Sequence, residues 1–199
     1  MLKRAFDLVI AGAGLLLLAP LFGVLALWIK LDSPGPVFFR QDRVGRGGAL
    51  FAIHKFRTMR ADAAASGPAL TVGDDPRITR AGRFLRRSKL DELAQLIDIV
   101  RGTMSLVGPR PEVPGFVALY PPALRDKLLS VRPGLTDPAS LAFRDEGALL
   151  ARSADPQRAY VDEVLPAKLA QSAQYVDRMS MAQDLRVIVA TVRQVWWPR

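Results

Sequence analysis

The chain has 199 residues and a formal net charge of +9, which favours an anionic partner: a phosphorylated substrate, a membrane surface or nucleic acid. It contains no cysteine and a single histidine, which excludes disulfides, thiolate metal sites, histidine-based catalytic triads and multi-histidine metal sites. The length suffices for one domain with a hydrophobic core.

The first element is an uncharged N-terminal stretch. From Ala11 to Ile29 no residue is charged, which is long enough for a membrane helix. Lys3 and Lys30 flank it, so the positive-inside rule does not assign its ends to opposite sides of a membrane. Pro20 removes a backbone hydrogen bond and should kink the helix. The length of the apolar stretch and the lack of a clean small-x-small cleavage site after it disfavour a cleaved signal peptide. The sequence leaves a spanning and a re-entrant helix equally open.

A β-hairpin is predicted next. After the turn Ser-Pro-Gly-Pro at 33–36, a strand over 37–41, a glycine-rich basic turn over 43–48 and a returning strand over 49–56 follow. The turn lacks the spacing of a Walker or dinucleotide-binding loop. His54 is expected to be a strand residue beside the basic groove rather than a metal ligand.

A polar connection is predicted over residues 60–76, where turn-forming residues recur. Asp74 and Asp75 end it. They could bind a metal, but adjacent carboxylates before a proline are far more often part of a turn.

The stretch 88–102 predicts an amphipathic helix. Ser88 is a good N-cap, Asp91 completes a box-like cap and Gly102 is a plausible stop. The expected buried face consists of Leu90, Leu93, Ile97 and Val100. Asp91 and Glu92 therefore lie together in the first helical turn.

Basic residues crowd the approach to this helix. They are Arg77, Arg80, Arg83, Arg86, Arg87 and Lys89. These cations and the helix dipole are expected to keep a first-turn carboxylate ionised and to attract phosphate. An ionised carboxylate beside a bound phosphate is a candidate nucleophile. The alternative is that Asp91 only caps the helix.

The Pro-Arg-Pro sequence at 109–111 holds Arg110 in a rigid turn, which suits bidentate recognition of phosphate. Beyond it, one helix is predicted over 113–131. A last helix is predicted from Ser180, with Gln183 as its cap partner. Its apolar face comprises Leu185, Ile188, Val189, Val192 and Val195. This face and the following Trp196 and Trp197 should contact the membrane, the core or a second subunit.

Several segments in this order closely resemble the bacterial sugar transferase family, the monotopic phosphoglycosyl transferases. They follow the Pro-broken N-terminal helix and comprise Ser-Pro-Gly-Pro-Val-Phe-Phe-Arg-Gln (33–41), Lys-Phe-Arg-Thr-Met (55–59), Asp-Glu-Leu-Ala-Gln-Leu (91–96), Met-Ser-Leu-Val-Gly-Pro-Arg-Pro (104–111) and Arg-Pro-Gly-Leu-Thr (132–136). The resemblance covers nearly the whole chain. It looks like the minimal form of the family with a C-terminal extension.

The resemblance implies transfer of a phosphosugar from a UDP-sugar to polyprenol (undecaprenyl) phosphate with release of UMP. By resemblance, Asp91 is the nucleophile that forms an aspartyl-phosphosugar intermediate and lies near Mg²⁺, and Glu92 is its partner in catalysis. The implied phosphate-binding cations are Lys55, Arg57, Arg110 and Arg144. Such enzymes make the first membrane-bound intermediate of exopolysaccharide, O-antigen or capsule.

The expected fold class is α+β, mostly helical with a small β-hairpin and a re-entrant N-terminal helix kinked at Pro20. The expected parts are the membrane helix (1–32), the catalytic core (33–150) and a C-terminal helical extension (151–199) that contacts the membrane or a second subunit in a homodimer. The expected location is the cytoplasmic face of the bacterial inner membrane.

Two departures from the family pattern stand out. Ala94 occupies a position where the family commonly has proline, and Thr-Asp-Pro-Ala-Ser at 136–140 replaces Thr-Gly-Trp-Ala-Gln. The second puts nucleotide or sugar contacts there in doubt, those of Arg144 included. The rival function is a non-catalytic basic module that binds anionic lipid. A nucleic-acid partner is disfavoured because aromatic residues do not interleave with the basic clusters.

Overall fold

The structure, a computed structural model, describes residues 1–63 and 75–196, without the side chain of Trp196. Asp74 and the contacts predicted for Trp196 and Trp197 lie outside the described residues. The helices are α1 (Leu2–Asp32), α2 (Arg80–Ser88), α3 (Leu96–Arg101), α4 (Pro114–Val117), α5 (Pro122–Leu129), α6 (Pro138–Ala142), α7 (Glu146–Leu150), α8 (Pro156–Ala159), α9 (Leu165–Asp177) and α10 (Met181–Trp196). The strands are β1 (Phe38–Val44), β2 (Leu50–Phe56), β3 (Ser105–Val107) and β4 (Gly134–Thr136). This confirms the expected mostly helical fold with small sheets.

Helix α1 is long and apolar enough to cross a membrane, the one such helix in the described ranges. Its helical assignment continues through Pro20, which is exposed. Along its middle, Leu16 and Leu17 are 82% and 81% exposed. Side chains that exposed and that apolar need a non-aqueous neighbour, since burial of such a side chain is worth about 1.5–3 kcal/mol.

Both ends of α1 are attached to the rest of the protein. Near its start, buried Asp7 accepts hydrogen bonds from Ser105 Oγ at 2.8 Å and from the Leu106 N–H at 3.1 Å. At its end, Asp32 accepts one from the Ala81 N–H at 2.9 Å. The two ends of the apolar helix therefore contact the same globular body.

The predicted hairpin is present. Strand β1 pairs antiparallel with β2, so that Phe38 lies opposite Phe56 and Val44 opposite Leu50. A 3₁₀ turn joins them, and Gly47 in that turn has φ +67°, a left-handed conformation that glycine adopts without steric cost.

As predicted, His54 is a strand residue, and it attaches the hairpin to α3. Its Nδ1 lies 2.6 Å from Asp98 Oδ1, and its backbone N–H donates to Asp98 Oδ2 at 2.8 Å. The other ring nitrogen lies 2.5 Å from Arg40 Nη1. All these contacts are with protein groups, so the ring orients β2 relative to α3.

Short segments from two of the motifs that carry the resemblance pair as parallel strands. In this β3–β4 sheet, Ser105 lies beside Gly134 and Val107 beside Thr136. A Cβ added to Gly134 would lie 2.1 Å from the Gly108 backbone nitrogen, so the two backbones approach as closely as they do because both positions lack a side chain. The sheet thereby holds the segment before Arg110 against the segment from 132 to 136.

The single helix predicted over 113–131 is wrong. The structure has two short helices, α4 and α5, separated by residues 118–121. Pro121 and Pro122 explain the break, because proline disfavours helical backbone in the preceding residue and cannot donate a backbone hydrogen bond. Pro122 then occupies the first turn of α5, where its missing N–H costs nothing.

The start of α10 was predicted correctly: the Gln183 N–H donates to Ser180 Oγ at 3.2 Å. Only part of its predicted apolar face packs on the core, where Ile188 contacts a cluster of buried residues. Leu185, Val189 and Val192 are 47%, 48% and 50% exposed. The residues that the helix buries are Asp184 and Val187. Asp184 accepts hydrogen bonds from Lys3 and Tyr175.

Three hydrophobic clusters form the core. One joins Val44 to Tyr160 and Leu169, a second joins Ala11 to Val107 and Tyr175, and a third joins Ile29 to Phe56 and Leu85. Each cluster unites residues from different predicted parts of the chain. The boundaries 1–32, 33–150 and 151–199 therefore do not separate independent hydrophobic cores. The division into a membrane helix, a catalytic core and a C-terminal extension stays a prediction.

Candidate active site

The stretch around Asp91 has a different local structure from the one predicted. Helix α2 ends at Ser88, Lys89 is left-handed with φ +57°, and a 3₁₀ helix then covers Leu90–Gln95 before α3 begins. The Ser88 hydroxyl donates to the Phe84 and Leu85 carbonyls, and no side chain caps the 3₁₀ helix. The predicted caps at Ser88 and Asp91 are therefore wrong.

The predicted buried face is also wrong. Ala94, Gln95, Leu96 and Ile99 are buried, whereas Val100 is 42% exposed. A 3₁₀ helix has three residues per turn rather than 3.6, so the face that it buries differs from the one that α-helical periodicity indicates. The left-handed residue also changes the direction of the chain before that helix starts.

Asp91 lies buried at this bend. Among the residues that the structure describes, none donates a hydrogen bond to its Oδ1. Burial and the neighbouring Glu92 carboxylate raise the pKa of Asp91, while Lys55, Arg86 and Lys89 act in the opposite direction. Desolvation is the largest of these effects, so the surrounding cations do not dominate as the sequence predicted, and the ionised state of Asp91 stays a prediction.

Glu92 forms the centre of an ion-pair cluster. Lys55 Nζ donates to its Oε1 at 2.8 Å, and Arg110 donates to both carboxylate oxygens, at 2.6 and 3.3 Å. Burial alone would raise the pKa of Glu92, but Arg110 and Lys55 outweigh it and hold that pKa well below its usual range. Glu92 is thus an anion that fixes two cations next to Asp91.

The structure brings together four of the six predicted site residues: Asp91, Glu92, Lys55 and Arg110. They come from the 3₁₀ helix, strand β2 and the turn after β3. Their proximity depends on the packing of the hairpin against the 3₁₀ helix.

The other two predicted residues have different partners. Arg57 donates to the Ile29, Ser33 and Pro34 carbonyls, so its guanidinium satisfies the C-terminal end of α1. Arg144 donates to the Gln194 carbonyl at 2.5 Å near the end of α10. Neither contacts Glu92, and the structure gives both of them helix-end carbonyls as partners.

Arg86 is a further cation near Asp91, which the sequence indicated only as one member of a basic cluster. Arg86 Nε donates to Thr58 Oγ1 at 2.9 Å, and its charge acts on Asp91. Burial lowers the pKa of the Arg86 guanidinium, and Asp91 partly offsets this. Its flank position on α2, between the buried face and the exposed face, is the signal that distinguishes it from the other arginines of that helix.

A second polar layer supports Arg110 from behind. Arg43 donates to the Pro111 carbonyl at 3.0 Å and lies 3.5 Å from Glu112. The Tyr160 hydroxyl donates to Glu112 at 3.0 Å. The Gly134 N–H donates to the Pro109 carbonyl at 3.0 Å. The rigid turn that the two prolines predicted is therefore held on several sides, which fixes the position from which Arg110 extends.

The site fits the Mg²⁺ that the resemblance implies, although the described residues contain no cluster of three or more metal-ligating side chains. Mg²⁺ typically takes one or two carboxylates and completes its shell with water and substrate phosphate. Asp91 offers a hard oxygen, Oδ1, that no protein donor occupies. It is the residue in this cluster that is suited to hold the ion, because Glu92 is already paired with Lys55 and Arg110.

Comparison with known proteins shows the family of this chain. The family model described as bacterial sugar transferase matches residues 1–198. The chain belongs to that family. An exopolysaccharide production protein of Rhizobium leguminosarum is 41% identical over 96% of the chain and 93% of its own length. A UDP-glucose:undecaprenyl-phosphate glucose-1-phosphate transferase of Caulobacter vibrioides is 38% identical, covering 96% of the chain and 68% of that protein.

A third relative carries a different sugar in its name. It is the UDP-N-acetylgalactosamine-undecaprenyl-phosphate N-acetylgalactosaminephosphotransferase of Aeromonas hydrophila, 33% identical over 98% of the chain and 43% of its own length. These relatives confirm the resemblance and the prediction that the chain is an enzyme of the sugar phosphotransferase class.

Proposed function

We propose that this enzyme transfers a phosphosugar from a UDP-sugar to undecaprenyl phosphate, releasing UMP, in exopolysaccharide synthesis. The observation that carries the proposal is the cluster around Glu92: a buried carboxylate, Asp91, with Lys55 and Arg110 fixed beside it. The names of the relatives include both glucose and N-acetylgalactosamine, so the proposal names the substrate class and not the sugar.

The proposed reaction has two displacements at one phosphorus atom. In the first, a carboxylate oxygen of Asp91 attacks the sugar-bearing phosphorus, the bond from that phosphorus to the UMP oxygen breaks, and UMP leaves with the electron pair. In the second, a phosphate oxygen of the polyprenol attacks the same phosphorus, and the bond to Asp91 breaks. The carboxylate is regenerated and the product is a polyprenyl diphosphosugar.

The cations of the cluster bind the diphosphate. Lys55 and Arg110 present charges that Glu92 already holds in place, so little conformational entropy is lost when a phosphate binds. Arg86 adds a further positive charge that acts on Asp91. A Mg²⁺ held by Asp91 would offset charge on the phosphate oxygens. These charges also favour the ionised, nucleophilic form of Asp91, against the effect of burial.

We also propose that α1 is re-entrant and that the active site faces the cytoplasm. The contacts of Asp7 and Asp32 support the re-entrant form, because a helix whose two ends touch one globular body does not place those ends on opposite sides of a bilayer. The exposed apolar stripe of α10 is consistent with a protein that lies in one leaflet, and so is the kink that the sequence predicts at Pro20.

The direct test is UMP release from a panel of UDP-sugars, measured with and without undecaprenyl phosphate. Wild-type protein should release UMP from at least one UDP-sugar, and Asp91→Asn should lower turnover at least about a thousandfold at unchanged melting temperature. If no UDP-sugar yields UMP, the rival function, a non-catalytic module that binds anionic lipid, is favoured. Turnover of Asp91→Asn within about tenfold of wild type would remove Asp91 as the nucleophile.

A further inference from the structure

Helix α2 carries cations on two different sides. Arg86 points towards Thr58 and the Asp91 site. Arg80, Arg83 and Arg87 are exposed and follow one another at three- and four-residue spacing, which places them on one helical face. Within residues 1–63 and 75–195, none of these three arginines forms an ion pair, so the site already described leaves this face unused.

Apolar residues adjoin the arginine face. Phe84, 42% exposed, lies between the arginines on the surface of α2. The ring of Trp28 from α1 packs on it, with centroids 5.3 Å apart. Leu27 and Leu31, 61% and 78% exposed, continue the apolar surface along the end of the membrane helix.

We propose that Arg80, Arg83, Arg87 and Phe84, here called the α2 outer face, bind the headgroups of anionic phospholipids. The proposal rests on the membrane placement of α1 proposed above. At a membrane interface, aromatic rings lie at headgroup level, and arginines beside them meet lipid phosphates, which a planar guanidinium binds through paired hydrogen bonds. Contact with Trp28 places the outer face at the end of α1, where a leaflet surface would lie.

The same charges could in principle capture the phosphate of the lipid substrate, but their direction argues against it. The cations that act on Asp91 are Lys55, Arg86 and Lys89. The outer-face arginines are exposed on the side of α2 away from its buried residues Ala81 and Leu85. The proposed occupant is therefore a bulk anionic lipid and not the reacting phosphate.

The fluorescence of Trp28, which packs on Phe84, reports on this surface directly. In a Trp196→Phe, Trp197→Phe background this residue is the remaining tryptophan, since the chain has 3. The protein is reconstituted into phosphatidylcholine vesicles that contain phosphatidylglycerol, with bromine on the chains of either one lipid or the other at equal mole fraction. We expect brominated phosphatidylglycerol to quench Trp28 about twofold more strongly, and 0.5 M NaCl to remove most of the difference.

Replacing Arg80, Arg83 and Arg87 by Gln should abolish the preference for phosphatidylglycerol. The matched control replaces Arg125, Arg152 and Arg158, three exposed arginines of α5 and the α7–α8 region, by Gln. It changes the net charge equally and should keep the preference. Equal quenching by both brominated lipids in the protein with intact arginines, or a preference that survives in the outer-face variant, would overturn the proposal.

Activity separates this inference from its alternatives. UMP release in pure phosphatidylcholine should have the same KM for undecaprenyl phosphate in the outer-face variant and the control. A KM that rises only in the outer-face variant would assign the arginines to the lipid substrate and overturn the proposal. Active protein that shows no lipid preference contradicts this inference alone, whereas absence of UMP release contradicts the proposed function.

Discussion

Arg57 is buried and Arg110 is partly exposed, and both were predicted to bind phosphate, yet their partners differ. Arg110 pairs with a carboxylate that itself lies next to the proposed nucleophile. Arg57 donates to main-chain carbonyls at the end of α1. The difference leads to opposite expectations for the same conservative substitution.

Arg110→Lys keeps the positive charge but loses the planar fork that donates to both oxygens of Glu92. We expect kcat/KM for the UDP-sugar to fall by the equivalent of about 1.5–3 kcal/mol, the usual contribution of a hydrogen bond to a charged group. Steady-state UMP release, corrected for the folded fraction, measures this. An unchanged kcat/KM would remove Arg110 from the site.

Arg57→Lys provides the contrast. A lysine lacks the planar fork that reaches the Ser33 and Pro34 carbonyls together, so we expect at least one of these two carbonyls to lose its donor. We expect a loss of stability of about 1–3 kcal/mol with kcat/KM per folded molecule unchanged. Thermal unfolding and UMP release on the same preparation separate the two effects. A selective fall in kcat/KM would restore Arg57 as a phosphate-binding residue.

At the scale of elements, the position of α2 decides how close Arg86 and Lys89 come to Asp91. A Cβ on Gly82 would lie 1.9 Å from the Thr58 carbonyl oxygen, so helix and strand end are in direct backbone contact there. Glycine is required at this position because any side chain would push α2 away from β2.

Gly82→Ala should therefore cost about 1–3 kcal/mol of stability, the usual range for overpacking, and should also lower kcat/KM because α2 shifts with its cations. Gly115→Ala in α4 is the matched control, since nothing lies within 4 Å of its added Cβ; its unfolding free energy should stay within about 0.5 kcal/mol. Equal effects of the two substitutions in thermal unfolding and UMP release would show that close packing at Gly82 does not position the site.

The sequence could predict those features that local pattern encodes. Two strand-like segments around a glycine-rich turn indicated the hairpin, Gly102 indicated the end of α3, where its φ is +90°, and the motifs pointed to Asp91, Glu92, Lys55 and Arg110. It could not predict the left-handed Lys89, because a non-glycine residue in that conformation is held by tertiary contacts that local propensity does not contain.

The pairing of strands far apart in the chain was the other feature that the sequence could not predict. The parallel strands β3 and β4 each have three residues and end in glycine- and proline-rich motifs, which resemble turns when each is considered alone. Similarly, Arg57 and Arg110 are indistinguishable as isolated cations. Only the fold shows that one faces the carbonyls of α1 and the other faces Glu92.

For the whole molecule, the central structural expectation concerns α1. Its first turns are tied to β3 through Asp7 and its last turn to α2 through Asp32. If the helix is re-entrant, its two ends lie on the same side of the membrane. A homodimer, also predicted from the sequence, stays a prediction.

Because the chain has no cysteine, single cysteines can report on this topology without background labelling. Cysteines introduced at positions 2 and 32 should both react with a membrane-impermeant maleimide from the cytoplasmic side, in inverted vesicles, and neither should react in intact spheroplasts. Position 158, exposed on α8, provides the reference for the side on which the globular part lies, once UMP release confirms folding. Labelling of position 2 in intact spheroplasts would contradict the re-entrant model.

The most direct test of the proposed chemistry is the mass of the protein after incubation with a UDP-sugar and Mg²⁺ in the absence of undecaprenyl phosphate. A covalent phosphosugar on Asp91 predicts one equivalent of UMP and a protein heavier by one phosphosugar. It also predicts that the peptide containing Asp91 carries the adduct and that added undecaprenyl phosphate removes it. UMP formation that requires the lipid acceptor, with no adduct at any time, or an adduct that persists in Asp91→Asn, would contradict the two-step mechanism.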